Sequence, residues 1–225
     1  MEVTLLEIVL LCVAALTAGV VDAIAGGGGL LTMPALLATG LPPHVVLGTN
    51  KGQSVFGAFA ALVRFYRAGM VRSELAAVTF PLGLAGSFMG AGLVLLVRPE
   101  VLKPLVLTLG AVIALLIGTY DGFFGPGTGT FLIISFSGLL GHSMTRASAD
   151  AKVVNFASNL AAVALFWYRG LVLWHVALPM AAAQFTGGWI GAHLAVRGGD
   201  KLVRRVVLLV VVALVLKLGR DVLAG

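Results

Sequence analysis

Charge is what this chain has least of. Asp, Glu, Lys and Arg make up 11% of its 225 residues, against about 25% in an ordinary soluble domain. So few charges cannot cover a water-facing surface, and with 60% hydrophobic residues and a mean hydropathy of +1.08 the composition is that of an integral membrane protein. Alternation is missing too: the long apolar runs do not switch between polar and apolar every second residue, which excludes a membrane β-barrel and leaves an all-α polytopic bundle, since only these two forms satisfy every backbone group in lipid. Cysteine is confined to Cys12, so an internal disulfide and a cysteine metal cluster are excluded and redox chemistry gains no support. His44, His142, His175 and His193 fall in separate segments with no metal-binding spacing, so no metal is expected. There is no serine in a nucleophile elbow and no carboxylate pair at an acid–base spacing, so neither an enzyme nor a cofactor is expected.

The formal net charge is +6, but Lys and Arg lie mostly at span ends, where they orient helices and meet anionic headgroups, so nucleic acid is not an expected partner. The N-terminus has no basic leader region and no small-residue cleavage site before Gly19, so the first span is expected to stay in the mature protein. Full-length spans read as 3–25, 44–66, 73–97, 101–120, 145–168, 173–196 and 202–218. Two further apolar pieces, 30–40 and 130–140, reach only about 16 Å as helices, half of a hydrocarbon core. Each follows a glycine cluster, and both are expected to be re-entrant half-helices, giving seven crossings. Trp167, Tyr168 and Trp174 read as an interfacial aromatic belt.

The chain also repeats itself. At a spacing of 101, Lys51 meets Lys152, Ser54 meets Asn155, Phe65 meets Phe166, Gly69 meets Gly170, Gly86 meets Gly187 and Gly90 meets Gly191. At 99, Gly19, Asp22 and Gly26 meet Gly118, Asp121 and Gly125. The expectation is two homologous transmembrane repeats, 1–100 and 101–225, with the helix 101–120 shared between them. Arg64, Arg67 and Arg72 crowd one loop and Arg197, Lys201, Arg204 and Arg205 another. The positive-inside rule puts both in the cytoplasm. With half-helices that do not cross, the N-terminus is then inside as well, and the two halves are inverted copies.

The glycine clusters are the candidate site. Gly26, Gly27, Gly28 and Gly29 lack the Gly-Lys-Ser/Thr ending of a nucleotide-binding loop. In a helical context they let backbone approach a ligand, and the half-helix behind them directs N–H groups and positive dipole character at that point. Gly125, Gly127, Thr128 and Gly129 set up a second such end. Lys51 and Lys152 follow each short segment, where an ammonium in lipid costs several kcal/mol, so a water-filled cavity and contact with an anion are expected. Ser148, Lys152, Asn155 and Asn159 fall on one helical face; Thr49, Asn50, Gln53 and Ser54 cluster around Lys51. Asp22 and Asp121, just before the glycines, are placed to hydrogen-bond the broken backbone, to pair with the lysines or to carry protons. Asp150 has Thr49 as its counterpart and is expected to pair with Arg146 or Lys152.

The strings Gly26 to Pro43, Gly48-Thr-Asn-Lys51, Tyr120 to Gly129 and Ala149 to Asn155 resemble the sulfite exporter TauE/SafE family. The resemblance spans nearly the whole chain. It implies a multipass protein of the bacterial or archaeal inner (plasma) membrane that moves sulfite, organosulfonates or related sulfur-containing anions across the lipid bilayer, with proton or sodium coupling open. Relatives divide into two units of about four spans joined by a charged linker; here that linker and roughly one span are absent. The expected function is secondary anion transport. A non-transporting membrane scaffold and a cation-coupled carrier of a neutral solute are the rival readings.

Overall fold

The computed structural model describes residues 3–95 and 128–223. Seven helices occupy them, and no strand is present among the described residues: α1 (Leu5–Ala25), α2 (Gly29–Ala38), α3 (Pro43–Arg67), α4 (Ser73–Leu95), α5 (Thr128–Leu140), α6 (Met144–Tyr168) and α7 (Trp174–Leu223), the last broken at Gly199 by a left-handed φ of 58°. The shared helix 101–120 and the boundary between the two expected repeats lie outside the described residues.

Local chemistry sets the helix ends. Thr4 and Glu7 form a reciprocal capping box at the start of α1, satisfying two of its free N–H groups. Pro43 opens α3 with a φ already suited to helix and an N–H it does not need. α3 and α6 are both 25 residues long, and both close through a glycine at positive φ, Gly69 (67°) and Gly170 (68°). Beyond these glycines, the Met70 N–H returns to the Phe65 carbonyl at 3.1 Å and the Leu171 N–H to the Phe166 carbonyl at 2.9 Å, the six-to-one bond of a glycine-terminated helix.

Large apolar side chains face outward while polar ones sit inside beside an apolar core, unlike a water-soluble bundle. Leu5, Leu6, Leu10 and Val13 on α1, Leu82 and Met89 on α4, and Leu208 and Leu209 on α7 are exposed, while Lys152, Gln53, Thr49, Ser148, Asp150 and Gln184 are buried. An apolar belt of this size is stable against lipid, not water. α1 alone among the described helices is long and apolar enough to cross a membrane by length and composition; α3, α6 and α7 carry buried polar residues.

Chain direction follows from the packing. One apolar cluster joins Leu11 and Ala15 of α1, Leu36 of α2, Val46 of α3 and Val176 of α7; another joins Ala23 and Ala25 of α1, Phe65 of α3, Ala147 of α6 and Ala192 and Ala195 of α7. α1, α3 and the first arm of α7 therefore run parallel, from the first cluster to the second. α2 runs back along α1, and with the residues on either side returns the chain to the level at which α1 began. This differs from a re-entrant piece that leaves where it entered. It places Leu5 at the end opposite Arg67 and Arg72, so the expected N-terminus on the same side as the basic loops is corrected. The two basic loops do share an end: Arg64 Nε and Nη2 reach His193 Nδ1 at 3.3 and 3.0 Å, and Arg67 lies 5.6 Å over the Trp189 ring.

Glycine makes these helices pack closely. A Cβ at Gly187 would strike the Leu16 carbonyl and one at Gly188 the Gly57 carbonyl, so α7 sits directly on the backbones of α1 and α3. α4 packs instead against α6, where Ser87 Oγ donates to the Ser158 carbonyl at 2.7 Å. Among the described helices α4 thus lies against α6, and α7 against α1 and α3.

Candidate functional site

Where α1 ends, its last carbonyls need partners, and other helices supply them. Thr130 Oγ1 of α5 donates to the Ala25 carbonyl at 2.6 Å, and Ser148 Oγ of α6 donates to the Ala23 and Ile24 carbonyls, both at 3.0 Å. Gly26 and Gly27 then take φ of 75° and 85°, a left-handed region that side chains disfavour, and turn the chain into α2. Gly129, of the second glycine cluster, meets the first cluster here. A Cβ on Gly26 would collide with the backbone of Gly129 and Thr130, and one on Gly129 would lie 2.8 Å from both Gly26 Cα and Asn155 Nδ2. Gly125 and Gly127, with Asp121, lie outside the described residues; Thr128 opens α5.

Asp22 occupies the centre of this junction. Its Oδ1 accepts from the Gly28 N–H, the N-cap of α2, at 3.1 Å, and its Oδ2 lies 2.9 Å from Lys152 Nζ. Lys152 has no exposed surface, whereas the Asp22 side chain is 20% exposed. Two of the roles open to Asp22 in the sequence, backbone capping and lysine pairing, are thus filled at once.

Lys51 is elsewhere. Its Nζ donates to Asn159 Oδ1 at 3.0 Å, and Asn159 stands seven residues beyond Lys152 on α6, a rise of about 10 Å. The structure does not bring the two ammoniums to one point. The reason is the antiparallel packing of α3 on α6: two lysines equally far into their helices end at different depths. The face Ser148, Lys152, Asn155 and Asn159 is nevertheless continuous, and it looks onto the glycine junction at one end and Lys51 at the other.

Around Lys51 the polar residues divide. Asn50 Oδ1 accepts from Thr32 Oγ1 of α2 at 2.6 Å and from Gln53 Nε2 at 3.0 Å, and Gln53 Nε2 also reaches Ser54 Oγ at 3.0 Å. Thr49 is occupied as a structural tie, because its Oγ1 accepts from the Leu173 N–H at 3.1 Å. Asp150, 101 residues later, does the same for the Arg72 N–H at 3.1 Å, 101 residues before Leu173. Asp150 forms an ion pair with neither of its two expected partners, Arg146 and Lys152; its Oδ2 lies 3.0 Å from His142 Nδ1, and His142 Nε2 meets Arg72 Nη1 at 2.8 Å. Since guanidinium only donates, Nε2 is the acceptor in the contact with Arg72.

Three residues were missed in the sequence. Thr32 and Gln184 sit in apolar runs, where a buried polar side chain is itself a signal; Gln184 is 2% exposed and its Oε1 is unpartnered among the described residues, as is Oε1 of Gln53. Asp200 caps α6 from the break in α7: its Oδ1 accepts from Thr145 N–H at 2.9 Å and Oγ1 at 2.7 Å. Burial works to raise the Asp200 carboxyl, but the hydrogen bonds from Thr145, Met144 and Ser143 outweigh it and hold it below the ordinary carboxylate range. No group of three or more metal-ligating side chains gathers among the described residues.

A helical bundle with an apolar exterior, a buried ion pair and a glycine break packed on the first turn of another helix inside it has the construction of a membrane transporter. The family comparison makes this specific. The family model for the sulfite exporter TauE/SafE matches residues 11–116 and 107–218, and the chain belongs to that family. It is 37% identical to "Probable membrane transporter protein ORF9" of a Sinorhizobium species, over 94% of this chain and 92% of that protein. It is 37% identical to a "Probable membrane transporter protein" of Haemophilus influenzae, over 89% of each, and 34% identical to "Probable membrane transporter protein YfcA" of Escherichia coli K12, over 92% of this chain and 87% of the relative. No solved structure matches significantly.

Proposed function

We propose that this chain is a non-enzymatic secondary transporter that moves small anions through a multipass fold in the inner membrane, sulfite, organosulfonates or related sulfur oxyanions being the substrates. The observation that carries this reading is the fully buried Lys152, held beside the N-terminus of α2 with a carboxylate shared between its ammonium and the Gly28 N–H. A cation and a helix N-terminus converging on one oxyanion form an anion site in low dielectric. Lys51 and Asn159, about two turns further along α6, offer a second station on the same face, so an anion passes between two cationic points rather than resting between both at once. Because α4 and α7 each pack on the other sequence half, the parts that rock are helix groups such as α1, α3 and α7 against α4 and α6, not the two halves of the sequence.

The test is flux of sulfite and an alkyl sulfonate in proteoliposomes for Lys152→Gln and Lys51→Gln at matched protein levels. Loss of most of the flux in both is expected. Unchanged flux in both would leave a scaffold as the better reading.

A further inference from the structure

We propose that the groove between α3 and α4 seats an anionic phospholipid, with one acyl chain lying in the groove and the phosphate meeting Arg67 at its mouth. This surface is separate from the glycine junction. It draws on the membrane setting of the fold and on none of Lys51, Lys152 or Asp22.

The groove follows from how the helices pack. α3 and α4 both lie on α6, and Ala76 and Ala77 are too small to close the space between them. What remains is an open, almost wholly apolar groove of about 680 Å³, walled by Leu62 and Tyr66 of α3 and by Ala77 and Phe80 of α4, with Val153 of α6 at its floor. Such a lining selects hydrocarbon. On α4 the groove extends from Ser73 to Pro81, eight residues or about 12 Å of helix. That is close to the depth of one leaflet's hydrocarbon, about 15 Å. Only one end is polar. Arg67 and Ser73 line the mouth together with Tyr66, and Tyr66 is 70% exposed, the placing of an aromatic side chain at a membrane interface.

Charge decides which lipid fits. The Arg67 guanidinium lies 5.6 Å over the Trp189 ring, but no carboxylate pairs with it among the described residues. Arg64, three residues earlier, turns to His193 and has no carboxylate partner there either. Glu74, beside Ser73, is exposed and stands outside the lining. The mouth is thus an apolar slot ending in a positive charge with no counter-ion. A lipid with a net negative headgroup fills the slot and neutralises the arginine at once, whereas a zwitterionic lipid brings a cation of its own to a positive site. Basic pockets between helices at a membrane surface take anionic headgroups for the same reason.

Native mass spectrometry of the purified full-length protein, released from micelles loaded with equimolar phosphatidylglycerol and phosphatidylcholine, reads the occupancy. About one phosphatidylglycerol per chain is expected, preferred about fivefold over phosphatidylcholine, the factor one basic residue contributes near an anionic surface. Arg67→Gln should keep a bound lipid and lose the preference. Ala77→Phe, which fills the groove from an exposed position on α4, should lower occupancy by either lipid about tenfold. Leu209→Phe, at an exposed position on α7 away from the groove, should leave occupancy as in the wild type. Equal occupancy by the two lipids in the wild type, or none by either, would overturn the proposal without any variant having to fold. A preference that survives Arg67→Gln, or a lipid retained in full by Ala77→Phe, would put the lipid elsewhere and overturn it as well.

Discussion

Replacing Asp22 with alanine should be among the most damaging single changes in the chain, and more damaging than replacing its partner. Lys152 is completely buried and Asp22 supplies the one carboxylate within ion-pair reach of it among the described residues. Removing one member of a buried pair costs about 3–5 kcal/mol, most of it the desolvation of the charge left behind. Asp22→Ala also strips the acceptor from the Gly28 N–H. For a domain of this size the loss corresponds to a melting shift of about 6–20 °C. Lys152→Met leaves a carboxylate that keeps the Gly28 N–H and part of its solvent contact, so its loss should be smaller, about 1–3 kcal/mol. The double variant Asp22→Ala/Lys152→Met should be more stable than Asp22→Ala alone, because it removes the stranded ammonium, and the coupling in the cycle should be of the order of 1–3 kcal/mol. Thermal melting in detergent, followed by tryptophan fluorescence, measures all four proteins. Additive losses, or an Asp22→Ala protein that melts with the wild type, would refute the reasoning.

Gly26→Ala should lose about 2–5 kcal/mol, from a left-handed φ and from contact with the backbone of Gly129 and Thr130; Gly69→Ala, with φ +67 but open space around it, should lose only about 1 kcal/mol, and equal melting shifts for the two would argue against the glycine junction. Thr49→Val should cost about 1–3 kcal/mol by leaving the Leu173 N–H without its acceptor, yet leave the ranking of competing anions in a flux assay unchanged; an altered ranking would make Thr49 a substrate contact after all. The Asp200 carboxyl is held below its ordinary range, so its capping contribution is complete above that range and disappears as pH falls through the lowered value. Asp200→Asn should accordingly melt below the wild type at neutral pH, by about 0.5–1 kcal/mol for so exposed a group, and converge with it once pH falls below the lowered value; a gap that widens on acidification would reverse the sign and reject the assignment.

The chain by itself determined its class and the place where α1 gives way to α2. Composition left only lipid-facing helices, Gly26 to Gly29 could not continue a helix cheaply, and the 101-residue spacing of Phe65 and Phe166 or Gly69 and Gly170 is visible as letters alone. The face formed by Ser148, Lys152, Asn155 and Asn159 was legible for the same reason, since helical periodicity is local. What only the tertiary structure decided is which groups meet. Asp22 and Lys152 are 130 residues apart, and nothing in either segment says that the helix carrying one packs antiparallel to Lys51's helix and so separates the two lysines in depth. The parallel run of α1 and α3 likewise follows from close glycine packing on α7, through Gly187 and Gly188, and not from the length of the short helix between them. Pairing and direction depend on contacts between distant segments, and those exist only once the chain has closed around its interior.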